Sequence, residues 1–355
     1  MSAQAEFNAF DSMAPKIDTK QLMEYCRPFR KAQLGSALFQ LSTTLAGYAI
    51  LLAATFYTFA QSNYWLTLPL MVVAAGFLVR IFIIQHDCGH GSFFTSRQAN
   101  NWTGRVLSIL TFTPYDMWRK AHALHHAASG NLDRRCIGSI DTLTVDEYKA
   151  LSPFKQFIYR AFRHPAVLLL IGSPLHAIVL QRFAPSATVP YMDDYHSLPR
   201  RQLWPSVIYT NIALLAVYGP FIYAFGWQMF VFGYLPIVVM TAWMGGWLFY
   251  IQHQFEQTYW ARQGEWDVLD AALYGSSYYV LPKVLQWFSG NIGLHHLHHF
   301  CSNIPNYRLQ ACVDGSPELT TLNRMTLRDS LRCLHWRLWD DAHKRMVSFA
   351  EVKTA

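Results

Sequence analysis

The sequence predicts an all-α integral membrane protein with four transmembrane helices arranged as two hairpins. Two observations carry this. Of 355 residues, 52% are hydrophobic and only 14% are charged, against about 25% charged in an average soluble chain. The apolar residues also collect into four long runs, 37–60, 64–84, 206–226 and 229–250, each near the ~20 residues that cross a hydrocarbon core.

Each run has its place. The first two are separated only by Gln61–Asn63 and the last two only by Gly226–Gln228, so each pair must turn straight back. Soluble helices of this length alternate apolar and polar faces, and these runs do not. A fifth apolar segment, 165–181, is broken by Gly172 and Pro174 and reads as interfacial or re-entrant. Around the spans, residues 1–36 form a polar N-terminal segment, 37–350 the main domain and 351–355 a short tail. The N-terminal segment has no apolar core beside a small-residue cleavage site, so no cleavable signal peptide is expected.

The basic residues set the orientation. Of 29 Lys and Arg, 28 lie in 1–36, 85–205 and 251–355, and the other is Arg80 inside the second run. The two short connections have none. With four spans all three basic regions fall on one side, and the positive-inside rule makes that side the cytoplasm. The net charge of +7 is then a surface facing anionic headgroups, not a nucleic-acid footprint. The six cysteines, Cys26, Cys88, Cys136, Cys301, Cys312 and Cys333, include no CxxC pair and suit a reducing compartment or plain packing.

Nine of the 15 histidines fall in three clusters. His86 and His90 lie in HDCGHGSFF, His122, His125 and His126 in HALHH, and His295, His296, His298 and His299 in NIGLHHLHHF. The spacings i, i+4 and i, i+3, i+4 put imidazoles on one side of a helix. All three clusters fall at the cytoplasmic ends of the predicted spans, where they can meet at one point. Neutral imidazole suits iron, zinc and copper. His253 closes the fourth run in FYIQHQFE and lies where such a site belongs. His296 is out of phase and reads as a packing or supporting residue. His164, His176, His196, His335 and His343 share no cluster. Asp87, Asp133, Glu256 and Asp267 are candidates to orient ligand N–H groups.

The boxes HxxxH, HxxHH and HxxHH, in this order around two hairpins, resemble the membrane fatty acid desaturase family. HHAASGNLDRR, DTLTVDEYKALSPF and NIGLHHLHHFCSNIPNYRL look like bacterial acyl-lipid desaturases of the omega-6 (delta-12) type, over roughly residues 37–350. The resemblance implies a cytosolic helical cap holding a di-iron site. It implies two Fe ions as cofactor, O2 as co-substrate and a lipid-linked fatty acyl substrate in the bacterial inner membrane, with termini and active site cytoplasmic. The implied metal ligands are His86, His90, His122, His125, His126, His295, His298 and His299, with His253 as the further ligand supplied outside the boxes. No catalytic residue separate from these is implied. In structurally known animal relatives an Asn one turn before that further ligand holds a metal-bound water. Phe249 stands at the matching position here, and Asn291, one turn before His295, is the candidate for a similar role.

Electrons must come from outside, because the chain has no Cys₄ iron–sulfur spacing, haem domain or Gly-rich nucleotide fingerprint. A ferredoxin is the expected donor ahead of a cytochrome b5-like protein. The alternatives are a related di-iron lipid hydroxylase, a carotenoid-modifying oxygenase and, from another class, a metal transporter. Runs 37–60, 206–226 and 229–250 contain no Asp, Glu, Lys, Arg or His, whereas transporters place such groups at membrane depth. No GxSxG or Ser-His-Asp arrangement supports a hydrolase.

Overall fold

The computed structural model describes residues 17–185, 189–192 and 195–353. Residues 1–16 of the expected N-terminal segment and 354–355 of the tail lie outside them. The described chain is mostly helical. Four helices are long and apolar enough to cross a membrane: α2 (Leu34–Ala60), α3 (Tyr64–His90), α9 (Arg200–Phe225) and the run Met229–His253, whose last part is α10 (Leu235–His253) after a π-helical stretch, Met229–Tyr234.

These helices outrun the sequence boundaries. At 27 residues, α3 is about 40 Å long at 1.5 Å per residue, against a core of about 30 Å. The excess lies at its C-terminal end and carries His86 and His90. Gly91 ends the helix in the left-handed conformation, φ 71°, which glycine adopts without a Cβ clash.

Helix α3 is the central strut. Over its most apolar window 56% of residues are buried, against 22% for each of the other three helices. It packs on α2, where Thr67 donates to Thr58 at 2.9 Å and the Phe77 ring closes on Gly47. The main apolar core joins α2, α3, α9, α10 and the helix α4 (Arg97–Thr111). Arg80 is tied down inside it. It stacks over Trp287 at 4.2 Å and donates to Thr44 and the Trp287 carbonyl.

The shorter helices gather where α3 and α10 end. They are α1 (Thr19–Cys26), α5 (Tyr115–Ala128), α6 (Val145–Ala150), α7 (Pro153–Phe162), α8 (Ser173–Ile178), α11 (Val268–Tyr274), α12 (Lys283–Phe288), α13 (His295–Phe300), α14 (Asn306–Asp314), α15 (Pro317–Thr321), α16 (Leu327–Ser330) and α17 (Phe349–Lys353). A second core links α1, α11, α13 and α14 through Leu22, Cys26, Leu273, Leu297 and Leu309. The segment 166–182 makes an angle of 58° with α7 and begins with a π-helical stretch, Ala166–Gly172. Two small ribbons depart from the all-α expectation. Tyr278–Tyr279 pairs in parallel with Arg324–Met325, and Leu338–Asp340 pairs antiparallel with Arg345–Val347. Both satisfy backbone groups of connecting segments, which carry no periodic apolar signal.

Candidate metal centre

The clustered histidines arrive on four helix ends. His86 and His90 come from the last turn of α3, His122, His125 and His126 from α5, His253 from the last residue of α10, and His295, His298 and His299 from α13. The turn that leads into α13 lies hard against the short strand Tyr278–Tyr279. A Cβ on Gly293 would sit 2.6 Å from the Tyr279 carbonyl oxygen, so only glycine permits this approach.

The imidazoles form two groups rather than one. His86, His90, His122, His126 and His298 make the first, and His125, His253, His295 and His299 the second. Within each, the potential donor atoms all lie within 4.8 Å of one another. Each HxxHH triplet is divided between them. The i and i+4 members, His122 with His126 and His295 with His299, stay together, while the i+3 members, His125 and His298, cross over. Residues i+3 and i+4 are turned about 100° apart on a helix, so one short helix serves both groups.

The nitrogen geometry calls for cations. His122 Nε2 lies 3.0 Å from His86 Nε2, 3.0 Å from His90 Nε2 and 3.1 Å from His126 Nε2. His253 Nε2 lies 3.1 Å from both His125 Nε2 and His295 Nε2. The Nδ1 of His253 faces the Gly275 carbonyl oxygen at 3.0 Å, which can only accept, so the proton is on Nδ1 and Nε2 offers a bare lone pair. His86 Nδ1 faces Asp87 Oδ1 at 3.1 Å, which fixes the same tautomer. Lone pairs converging at this spacing repel one another without a positive ion among them. At a metal–nitrogen length of about 2.1 Å, adjacent ligands of a six-coordinate ion lie about 3.0 Å apart, and those of a tetrahedral ion about 3.4 Å. The observed spacings match the former. His299 Nε2 is buried with no hydrogen-bond partner, as a ligand nitrogen without its metal would be. Burial, and then the neighbouring imidazoles, hold His122, His126, His295, His298 and His299 well below the ordinary histidine pKa, so they are neutral donors. His125 is shifted the same way by burial and by His253.

Of the four carboxylates proposed to orient ligands, only Asp87 does so. Its second oxygen accepts the Asn306 backbone N–H at 2.6 Å and the Asn306 side chain at 2.8 Å, fixing its orientation against His86. Asp133 pairs with Arg262, Glu256 lies 3.8 Å from Arg345, and Asp267 caps α11. Two supports carry no sequence signal, Ser139 Oγ at 3.0 Å from His125 Nδ1 and the Gly275 carbonyl. Trp118 stacks on His122 at 4.7 Å. His296 turns away from both groups, donates to the Leu319 carbonyl at 3.0 Å and packs on Tyr278. Asn291 is also turned elsewhere and donates to the Asn306 carbonyl at 2.9 Å. Phe249 packs against His125 and His253, ring centroids 5.4 and 5.8 Å away.

Two apposed polyhistidine groups at the ends of apolar helices could hold metal ions in a membrane protein, and the comparisons with known proteins give the family. Residues 62–326 match the family model for fatty acid desaturase, and the chain belongs to that family. It is 39% identical over 334 residues to a fatty acid desaturase of Bacillus subtilis, covering 94% of this chain and 92% of that one. It is 28% identical to an sn-1 acyl-lipid omega-3 desaturase (ferredoxin) of Synechocystis, covering 74% and 71% of the two chains. It is 25% identical to an sn-1 oleoyl-lipid 12-desaturase of Picosynechococcus, covering 77% and 73%. Donor names among the relatives divide between ferredoxin and cytochrome b5. The chain is therefore an integral membrane oxidoreductase of lipid metabolism, with histidine groups able to bind metal ions.

Proposed function

We propose that the enzyme inserts a cis double bond into a lipid-linked acyl chain, using two irons held by the nine histidines of the two groups, His253 among them and His296 not. The observation that carries this is the division of those histidines into five and four, with converging Nε2 atoms 3.0–3.1 Å apart. Five imidazoles in one group exceed the four-coordinate tetrahedral set typical of zinc and suit iron. When bound, iron supplies the redox chemistry that no side chain can, reducing O2 to two waters with two electrons from a donor and two from the acyl chain. The chain's own residues hold and orient. Asp87, Ser139 and Gly275 fix the rings of His86, His125 and His253, and Phe249 covers the second group with an apolar face that excludes water.

In this reading the four helices are two hairpins in the bacterial inner membrane, residues 37–350 form the catalytic domain, and a cytosolic cap carries the site. The distribution of Lys and Arg supports that orientation. An acidic ferredoxin docks on the basic cytoplasmic face. For bond position we take delta-12, on the sequence blocks that look like that type. Expression in a bacterium lacking polyunsaturated lipids, followed by double-bond mapping, tests the assignment. A new bond at another position replaces delta-12 only. A hydroxylated product, or unchanged lipids in cells whose protein carries iron, overturns the desaturase reading.

A further inference from the structure

A second polar centre lies on the far side of His253. Arg163 is fully buried and Arg337 is 7% exposed. Among the described residues neither forms an ion pair. Arg163 donates to the Gln254 side chain at 2.5 Å and to the Arg337 carbonyl at 3.3 Å, and its Nε and Nη1 have no partner. Arg337 donates to the Tyr250 hydroxyl at 2.9 Å and to the Trp336 and Leu334 carbonyls. Two neighbouring guanidinium groups are thus out of water with only neutral acceptors on them among the described residues, an arrangement that costs several kcal/mol per ion as a rule. Among the described residues Asp141 feels the charge of Arg163 at longer range. It accepts from Tyr191 at 2.8 Å, also faces Arg135, and burial raises its pKa.

Arg337 forms one wall of a cleft of about 440 Å³ whose other polar walls are Arg160, His164 and His335. Arg160 also has no acidic partner among the described residues. It donates to the Tyr148 hydroxyl and lies 5.2 Å over the Phe349 ring. The cleft opens at Pro165, at the bend between α7 and the apolar segment 166–182. Phe154 and Phe157 on α7 are 71% and 68% exposed, and Leu170 and Ile171 beyond the bend are 58% and 60% exposed. An outward apolar stripe on both sides of a bend suits a segment lying in a bilayer interface, which would bring the cleft to headgroup depth. The apolar wall residue Leu334 joins a cluster with Leu169, Trp247, Tyr250 and Ile251, which leads along α10 toward His253.

We propose that this cleft binds the phosphate of a glycerophospholipid, holding the substrate by its headgroup while the acyl chain passes toward the histidine groups. The inference rests on the acyl-lipid reading above and narrows it to phosphate-bearing lipids. Guanidinium and imidazole N–H groups match phosphate oxygens in charge and geometry, and the volume falls within the range of small-molecule sites.

The test uses the full-length, iron-loaded protein in detergent. Binding of phosphatidylglycerol, diacylglycerol and inorganic phosphate is measured by native mass spectrometry, beside desaturation kinetics on both lipids. Arg160→Gln should weaken phosphatidylglycerol binding and raise its KM roughly tenfold, the loss of one charge-assisted hydrogen bond, with kcat and diacylglycerol binding unchanged. Arg160→Lys should restore part of the affinity. His335→Ala, at an exposed wall position, should shift KM in the same direction and guards against a folding defect at Arg160. Wild-type affinity for phosphatidylglycerol in both Arg160→Gln and His335→Ala overturns the proposal. Inorganic phosphate binding with no preference for phospholipid over diacylglycerol overturns it in favour of a free anion. A changed KM for the electron donor with an unchanged lipid KM overturns it in favour of an acidic protein partner. If wild type binds phosphatidylglycerol through Arg160 but desaturates no lipid, the headgroup site stands and the proposed function fails. If it desaturates both lipids and the variants keep wild-type KM, the function stands and the site fails.

Discussion

His126 and His299 stack face to face, their ring centroids 4.0 Å apart and their planes 13° from parallel, although they belong to different imidazole groups. This pair is the seam of the centre. Each ring is oriented by a residue of the other group, so the two groups are mechanically joined while their donor sets stay separate.

Separate donor sets predict separate loss. His298→Ala removes a donor from the first group only, and His253→Ala one from the second only. Each should lower iron from about two per chain to about one and abolish desaturation while the protein still inserts in the membrane. His343→Ala, at an exposed histidine paired with Asp340, should leave iron and activity near wild type. Metal analysis of the purified variants decides this. Stoichiometric zinc without iron, or equal loss in all three, would mean the groups have been misread.

Asp87→Asn tests the orienting carboxylate. The asparagine side chain fills the same space, but its –NH2 group must face either His86 Nδ1 or the Asn306 donors, which need acceptors. Activity or iron affinity should fall roughly 10–100-fold, the usual cost of losing a ligand's hydrogen-bond partner. Iron titration of both proteins measures it. Asp133→Asn should have no such effect, because Asp133 pairs with Arg262.

How far this centre was legible depends on what holds each part. Repeated histidine spacing survives in the sequence because helices impose it, and His253 could be added because it ends an apolar run. The separation into two groups does not show in the spacing alone, because same-side spacing points to one site and only the angle of about 100° between i+3 and i+4 divides each triplet. Asp87 stands out from Asp133, Glu256 and Asp267 because it adjoins a histidine, but its fixing partner Asn306 is 219 residues away and no sequence pattern links the two. Gly275 contributes a backbone oxygen, which no residue type announces. Arg163 and Arg337 meet across 174 residues, and His164 and His335, which share no histidine cluster, line the cleft beside Arg337. The spans were legible to within a few residues at their lipid-facing ends. Their extensions past the membrane were hidden, because there the composition turns polar while the helix continues.

Phe249 gives a prediction about water. Its ring lies against His125 and His253 and presents no polar atom. Phe249→Ala should open that side of the second group to solvent. The expected result is more donor oxidised per double bond formed, with iron content unchanged. Simultaneous measurement of donor oxidation and product checks it, and unchanged coupling would remove Phe249 from the water-excluding role.

The orientation is the last prediction, and the common centre depends on it. All six native cysteines are buried and free, so replacing them leaves a quiet background for thiol labelling. Asn63 and Gln228 are exposed at the two short connections, and Asn303 is exposed just beyond α13. Gln228 is a better probe position than Gly226, whose φ of 85° strains any other side chain. With 28 of 29 Lys and Arg outside the spans in the three long regions, the positive-inside rule places both connections outside the cell and Asn303 in the cytoplasm. Asn63→Cys and Gln228→Cys should react with a membrane-impermeant thiol reagent in intact cells. Asn303→Cys should react only after the membrane is opened. Labelling of Asn303→Cys in intact cells, with the connections protected, would invert the protein and put its histidine groups beyond the reach of a cytoplasmic electron donor.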